Sequence, residues 1–248
     1  MERGKDPIPP AAAASALTWW SEAGVDVMID EEPRDWLRPK PEAKPATATA
    51  SPAPTLQAEE PADAPPGQLD LFQAWLANSE SLSFASPAAP RVCPSGDPAS
   101  GLMILADMPS ADDCASGALI SGAAGRLFER MLAAIGRDRA SVYLAALSCL
   151  RSPDGRFSTD AAKSCAALAR HHIGLVQPKA LLLLGDACAK ALLGQPMAQA
   201  RRKWHEVATH AGPARALVSL PPSYLLDHPS HKAHAWADLQ MLLEEVNR

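Results

Sequence analysis

A lone acid directly after an apolar run is the first residue that could do chemistry. Leu102-Met103-Ile104-Leu105 reads as a buried strand, and Asp107 heads the loop that follows it as far as Gly117. A carboxylate there can hold a water or steady a developing cation. Three imidazoles recur in Asp227-His228-Pro229-Ser230-His231-Lys232-Ala233-His234. Histidines close together on a helix can bind metal. Pro229 sets His228 ahead of the helix, however, and His234 lies well round it, so the reading is a solvated or phosphate-facing helix start. Arg201-Arg202-Lys203-Trp204-His205 joins cations to an aromatic ring, which suits phosphates and stacked bases. Five cysteines form an odd set without any Cys-x-x-Cys pair. A disulfide framework is therefore not expected, and a reducing, cytoplasmic setting is. The chain carries no GxGxxG, no GxxxxGK[ST] and no GxSxG, which argues against a dinucleotide enzyme, a P-loop enzyme and a serine hydrolase.

The elements that must position these residues alternate in type. After the strand at 102–105, Gly125 to Ile135 has helical spacing and stops at Gly136. Val142 to Leu147 is a second strand. Ser158 or Thr159 caps a helix running to about Val176. Ala180 to Gly185 is a third strand, Asp186–Leu193 a short helix, Arg215 to Leu220 a fourth strand, and His231 to Val246 a final helix. Strands that are almost wholly apolar and alternate with helices predict a parallel sheet covered on both faces. Ligands of such sheets sit at the carboxyl ends of the strands.

The N-terminal third has a different texture. Residues 1–90 carry 6 basic and 14 acidic side chains, whereas residues 91–248 carry 17 and 14, so the acidity of the chain is concentrated in its arm. Eight prolines fall within residues 39–66, a density that no helix or strand survives. The expected organisation is an N-terminal segment (1–38) with a short helix from Ala11 to Glu22, a Pro/Ala-rich disordered linker (39–67) and a folded domain (68–248). Trp19 and Trp20 give the arm a means of docking on a partner such as a repair protein. A second short helix is expected at Leu69–Ala77, where Leu69, Phe72 and Leu76 share a face. No apolar run approaches the length of a membrane span, so no membrane partner is expected.

Several stretches carry a resemblance. Ser121-Gly122-Ala123-Ala124-Gly125-Arg126-Leu127-Phe128, Ser141-Val142-Tyr143, Gln177-Pro178-Lys179 to Gly194, Pro222-Ser223-Tyr224-Leu225-Leu226 and the helix containing Ala235-Trp236-Ala237-Asp238 occur in order and at similar spacing. In these residues the chain resembles the uracil-DNA glycosylase superfamily, nearest to its family 4 iron–sulfur enzymes. The resemblance implies a three-layer αβα sandwich around a four-stranded parallel central sheet.

The resemblance also implies a site, and here the chain departs from it. Excision of a flipped uracil needs a carboxylate, an amide that reads the base, a stacking ring and a donor for the leaving anion. The family's Gly-Glu-Ala-Pro-Gly resembles Ala106-Asp107-Met108-Pro109-Ser110, with an acid one methylene shorter, about 1.5 Å less reach. The stacking Phe matches Ile120, the uracil-reading Asn matches Ala146, and the His of His-Pro-x-Tyr-Leu-Leu-Arg matches Pro221. Asp107 is then the one candidate catalytic residue, and Ile120, Ala146 and Pro221 are the lining of the base pocket. Ser223, Tyr224, Leu225 and Leu226 match the family's DNA-wedging loop, and with Arg201, Arg202 and Lys203 they are the candidate DNA-binding residues. The family's cluster needs four cysteines. Cys93, Cys149 and Cys165 are its candidate remnants, so loss of the 4Fe-4S cluster is expected.

The function expected is DNA binding, to single or double strands, in a DNA-repair role with weak or lost uracil excision. Two alternatives remain. One is an active glycosylase that uses Asp107 on another damaged or deaminated base. The other is a non-catalytic protein-interaction scaffold.

Overall fold

Four of the apolar runs become the centre of one sheet. The computed structural model describes residues 64–86 and 89–246. Contacts divide the chain into residues 1–56 and 57–248, and everything described belongs to the second unit. The helix expected at Ala11 to Glu22, with Trp19 and Trp20, and most of the linker lie outside the described residues.

The order is α1 (Leu69–Asn78), β1 (Ser95–Gly96), β2 (Leu102–Ala106), α2 (Ala111–Ser116), α3 (Gly122–Ala134), β3 (Tyr143–Ala146), α4 (Thr159–Val176), β4 (Ala180–Leu184), α5 (Asp186–Leu193), α6 (Met197–Ala200), β5 (Trp204–Thr209), β6 (Gly212–Ser219), α7 (Pro222–Asp227) and α8 (Lys232–Val246). The strands line up as β1-β3-β2-β4-β6-β5. The inner four, β3, β2, β4 and β6, are parallel, and they are the four expected. The outer two are antiparallel additions, so the sheet has six strands rather than four. β5 was hidden because it is a half-exposed edge strand whose residues, Trp-His-Glu-Val-Ala-Thr, form no apolar run and bury only Val207 fully. It pairs with β6 through a tight hairpin, Thr209↔Gly212. The expected loop after β2 likewise contains a helix, α2, closed at its start by a reciprocal cap between Ser110 and Asp113.

Alternation along the parallel strands divides the core. Met103, Leu105, Tyr143, Ala145, Leu181, Leu183, Ala216 and Val218 pack beneath α4 and α5, against Ala166, Ala169, Ile173, Ala189 and Leu192. Ile104, Leu144, Leu182 and Leu217 pack beneath α3 and α8, against Phe128, Leu132, Leu239 and Leu242. Each large side chain fully buried this way stabilises by roughly 1.5–3 kcal/mol. The result is the expected three layers. Ser158 accepts from the Ala161 amide and starts α4 where the sequence placed its cap.

Candidate functional site

The chain leaves β2 toward the face of α3, and leaves β3 and β4 toward the face of α4 and α5. Asp107 sits at this change of direction, where an open sheet leaves a crevice. The sequence placed it there, but its carboxylate has a partner that no local pattern announces. Oδ1 accepts from the Cys188 amide at 2.7 Å, and Oδ2 accepts from the Ala187 amide at 3.3 Å. Those amides open α5, whose own N-cap, Gly185, has no side chain to offer. Asp107 therefore caps α5 from 80 residues away. Gly185 is what lets it come so close: a Cβ there, at φ 120°, would fall 2.2 Å from Oδ2. Burial pushes the Asp107 carboxyl up; the amides of Cys188 and Ala187 oppose that shift, and the Asp186 charge adds to it.

Asp107 and Met108 form the inner end of a groove of about 990 Å³ between α4 and α5. Its walls carry Arg156, Lys163, Arg170 and Lys190, with Phe157 and the Ser158 and Thr159 hydroxyls at the start of α4. Arg170 donates to the Ala191 and Leu192 carbonyls, and Lys190 pairs with Asp186. Arg156 and Lys163 reach solvent, and both belong to the groove without having been singled out in the sequence. The available signal was the polar run Arg151 to Arg156 ending directly at a helix start.

The three residues expected to line a base pocket lie elsewhere than this groove. Ile120 and Ala146 join the apolar cluster under α3 and α8, with Ala106 and Leu119. Ile120 holds φ 52°, a left-handed conformation that is strained for a β-branched residue. Arg139 clamps the loop there by donating to the Leu119 and Ile120 carbonyls. Asp113, buried beneath it, accepts from Ser121 N at 2.6 Å, Ser121 Oγ at 2.7 Å and Ser110 N at 3.0 Å. Burial alone would raise the Asp113 carboxyl, but donors from Ser110, Ser121 and Ile120 outweigh it and hold the group below its ordinary value. Pro221 is the N-cap of α7, half-buried.

The expected DNA surface is partly reassigned by packing. Leu225 is 1% exposed and packs with Leu220 and Ala235, so it is core. Leu226 is 41% exposed, Ser223 is exposed and Tyr224 half-exposed. Arg201 turns inward: Nε and Nη2 donate to Asp238 Oδ2 at 2.9 and 2.7 Å, beside a third donor, Ser219 Oγ. Asp238 Oδ1 is buried without a hydrogen-bond partner among the described residues, and burial raises the carboxyl against the pull of Arg201 and Ser219. Arg202 and Lys203 remain exposed. The Tyr224, His228, His231 and His234 rings form a ladder: Tyr224–His228 is 4.2 Å at 14°, and His231–His234 is 5.4 Å. No group of three such ligands among the described residues is placed to hold a metal ion.

Cys149 and Cys165 both border a second cavity, alongside Val92 and Pro94, the neighbours of Cys93. It holds about 30 Å³ and is otherwise lined by Phe72, Leu76, Leu82, Ser83, Ala146, Leu147, Ser148, Leu168, Ala169 and His172. That is the volume of about one water. A cubane of four irons and four sulfides needs more room and a fourth thiolate, so these residues do not fit the group. Burial pushes the Cys149 thiol up to about 11 and raises Cys93 and Cys165 as well.

Fold and site together define an α/β domain with a parallel core, an acid at the switch point and a basic groove beside it. A family model for the uracil DNA glycosylase superfamily matches residues 93–240. A type-4 uracil-DNA glycosylase of Pyrobaculum aerophilum is 24% identical over 148 residues, covering 57% of this chain and 76% of that protein. The chain belongs to the uracil DNA glycosylase superfamily. Its family acts on DNA. No helix among the described residues is long and apolar enough to cross a membrane.

Proposed function

We propose that this chain is a DNA-binding member of its superfamily with a repair-related role and weak or lost uracil excision. The observation that carries the reading is the engagement of Asp107. Both of its oxygens accept from the amides that open α5, and the groove that the acid borders contains none of Ile120, Ala146 and Pro221. Ile120 offers no π face, Ala146 no amide and Pro221 no donor. Losing one anion-stabilising donor costs about 10²–10³ in rate.

DNA contact is supported by the exposed Arg202, Lys203, Ser223 and Leu226, by the half-exposed Tyr224, and by Arg156 and Lys163 at the groove. Cations of this kind bind phosphate through counterion release, and exposed rings accept stacked bases. A second reading, excision of another damaged base, is favoured by one feature: a buried acid with a raised carboxyl beside a groove large enough for a ligand.

The test is base release from uracil-containing and other lesion-containing single- and double-stranded oligonucleotides, with salt-dependent binding measured in parallel. The expected outcome is binding that weakens with salt, and release no greater than that of Asp107→Asn. Asp107-dependent release of uracil would overturn the reading, and release confined to another base would establish the second one.

A further inference from the structure

We infer that the side chains of Phe72, Leu76 and Leu82 form an apolar plug that takes the place of the family's iron–sulfur cluster and staples the N-terminal part of the domain to the sheet. The inference is independent of whether DNA is bound or a base excised. It begins from convergence. Cys149 follows β3, Cys165 lies in α4, and Cys93 precedes β1, yet Cys149 and Cys165 border one cavity and Cys93 lies between two residues that do. The three thiols thus neighbour one cavity, while no group of three ligands among the described residues is placed to hold a metal ion.

The cavity beside them is walled largely by hydrocarbon. Phe72 is 1% exposed, Leu76 and Leu82 are 8% exposed, and all three share one cluster with Cys149 and Leu150. The Cys149 thiol is turned to the Leu76 carbonyl, at 3.8 Å. A metal centre would require these side chains to leave.

The plug is also tied down. Gln73 donates to the Tyr143 hydroxyl at 2.7 Å, and that hydroxyl pairs with His172 Nε2 at 2.8 Å. Arg91 donates to the Leu76 and Ser79 carbonyls at 2.9 and 2.7 Å, closing the end of α1. The Phe72 ring meets the rings of His171 and His172 at 5.2 and 5.0 Å. Covalent cross-linking by a cluster stabilises by restricting the unfolded chain, as a disulfide does. Here burial and a buried polar network hold the same segments together in the folded state. The cysteines then serve as small apolar fillers.

The experiment uses the full chain purified without oxygen. Iron and visible absorption are measured on the native protein, and the thiol reactivity of Cys149 is compared between native protein and Phe72→Ala/Leu76→Ala. The plug requires no stoichiometric iron in the native protein. The double substitution should lower Tm by about 10 °C or more, with faster labelling of Cys149. Leu71→Ala, at the 55% exposed Leu71 of the same helix, should change neither. If the double variant does not fold, Leu76→Val serves in its place and should give a smaller shift in the same directions. One iron centre per chain, or a double variant with native Tm and native labelling, would overturn the inference.

Discussion

The carboxyl ends of β2 and β3 serve two faces, and the two have been treated oppositely. Toward α3 and α8, Ala106, Ile120 and Ala146 pack into the apolar core, and the polar atoms nearby are consumed by loop structure. Toward α4 and α5 a wide groove stays open, rimmed by Arg156, Lys163, Arg170 and Lys190. Asp107 stands where the faces meet, and its carboxylate goes to the α5 amides. The difference teaches that an acid at the end of a strand can be claimed by a helix start far along the chain. An acid bound by helix N–H groups is a cap before it is a catalyst.

The comparison can be broken most severely at Gly185. Gly185→Ala drives a Cβ into the Asp107 carboxylate and forces a left-handed backbone on a residue that resists it. It should destabilise the domain by about 3 kcal/mol or more, read as a shift in urea midpoint. An unchanged midpoint would mean that Asp107 is free to move and does not cap α5.

Asp113→Ala strikes the other face. It leaves the Ser110 and Ser121 amides and the Ser121 hydroxyl without their acceptor, at a cost of about 2–3 kcal/mol. Equilibrium unfolding measures it. A loss below that of a surface substitution would show that the loop does not depend on this acid.

Acid should act through His172, which burial lowers from 6.5 to about 3, with the nearby His171 adding to the effect. The folded state keeps this ring neutral while the unfolded chain protonates it. Its contribution is therefore complete above pH 6.5 and is lost as pH falls toward 3, by about 1.4 kcal/mol per unit within that window. Stability curves of wild type and His172→Gln should converge in slope only above pH 6.5. Parallel slopes between pH 6 and 4 would contradict the neutral buried ring.

The smallest effect sharpens the contrast between the faces as binding surfaces. Arg202→Ala/Lys203→Ala should weaken single-stranded DNA binding severalfold and reduce the salt slope by about 0.7 per lost phosphate contact. Arg156→Ala/Lys163→Ala performs the same test on the groove. Whichever pair leaves affinity and slope untouched lies off the DNA path.

Much of this was legible from local pattern. Each parallel strand is a short apolar run, Ser158 is a cap followed by a helical period, and Asp107 directly follows a strand. These features report conformations that neighbours in sequence determine. β5 escaped because an edge strand needs only one apolar face, and its Arg-Arg-Lys approach reads as a basic turn. Arg201 looked like a phosphate ligand because nothing nearby in sequence announces Asp238, 37 residues on.

By itself, then, the sequence determined the layered α/β fold and its superfamily, because these depend on residue identity and short-range periodicity. Tertiary structure alone decided that Asp107 caps α5, that Arg201 is buried against Asp238, and that Phe72, Leu76 and Leu82 pack with Cys149. Each of those is a pairing across a long stretch of chain. A buried polar or apolar group takes the partner that packing brings to it, and its identity is fixed only when the layers close.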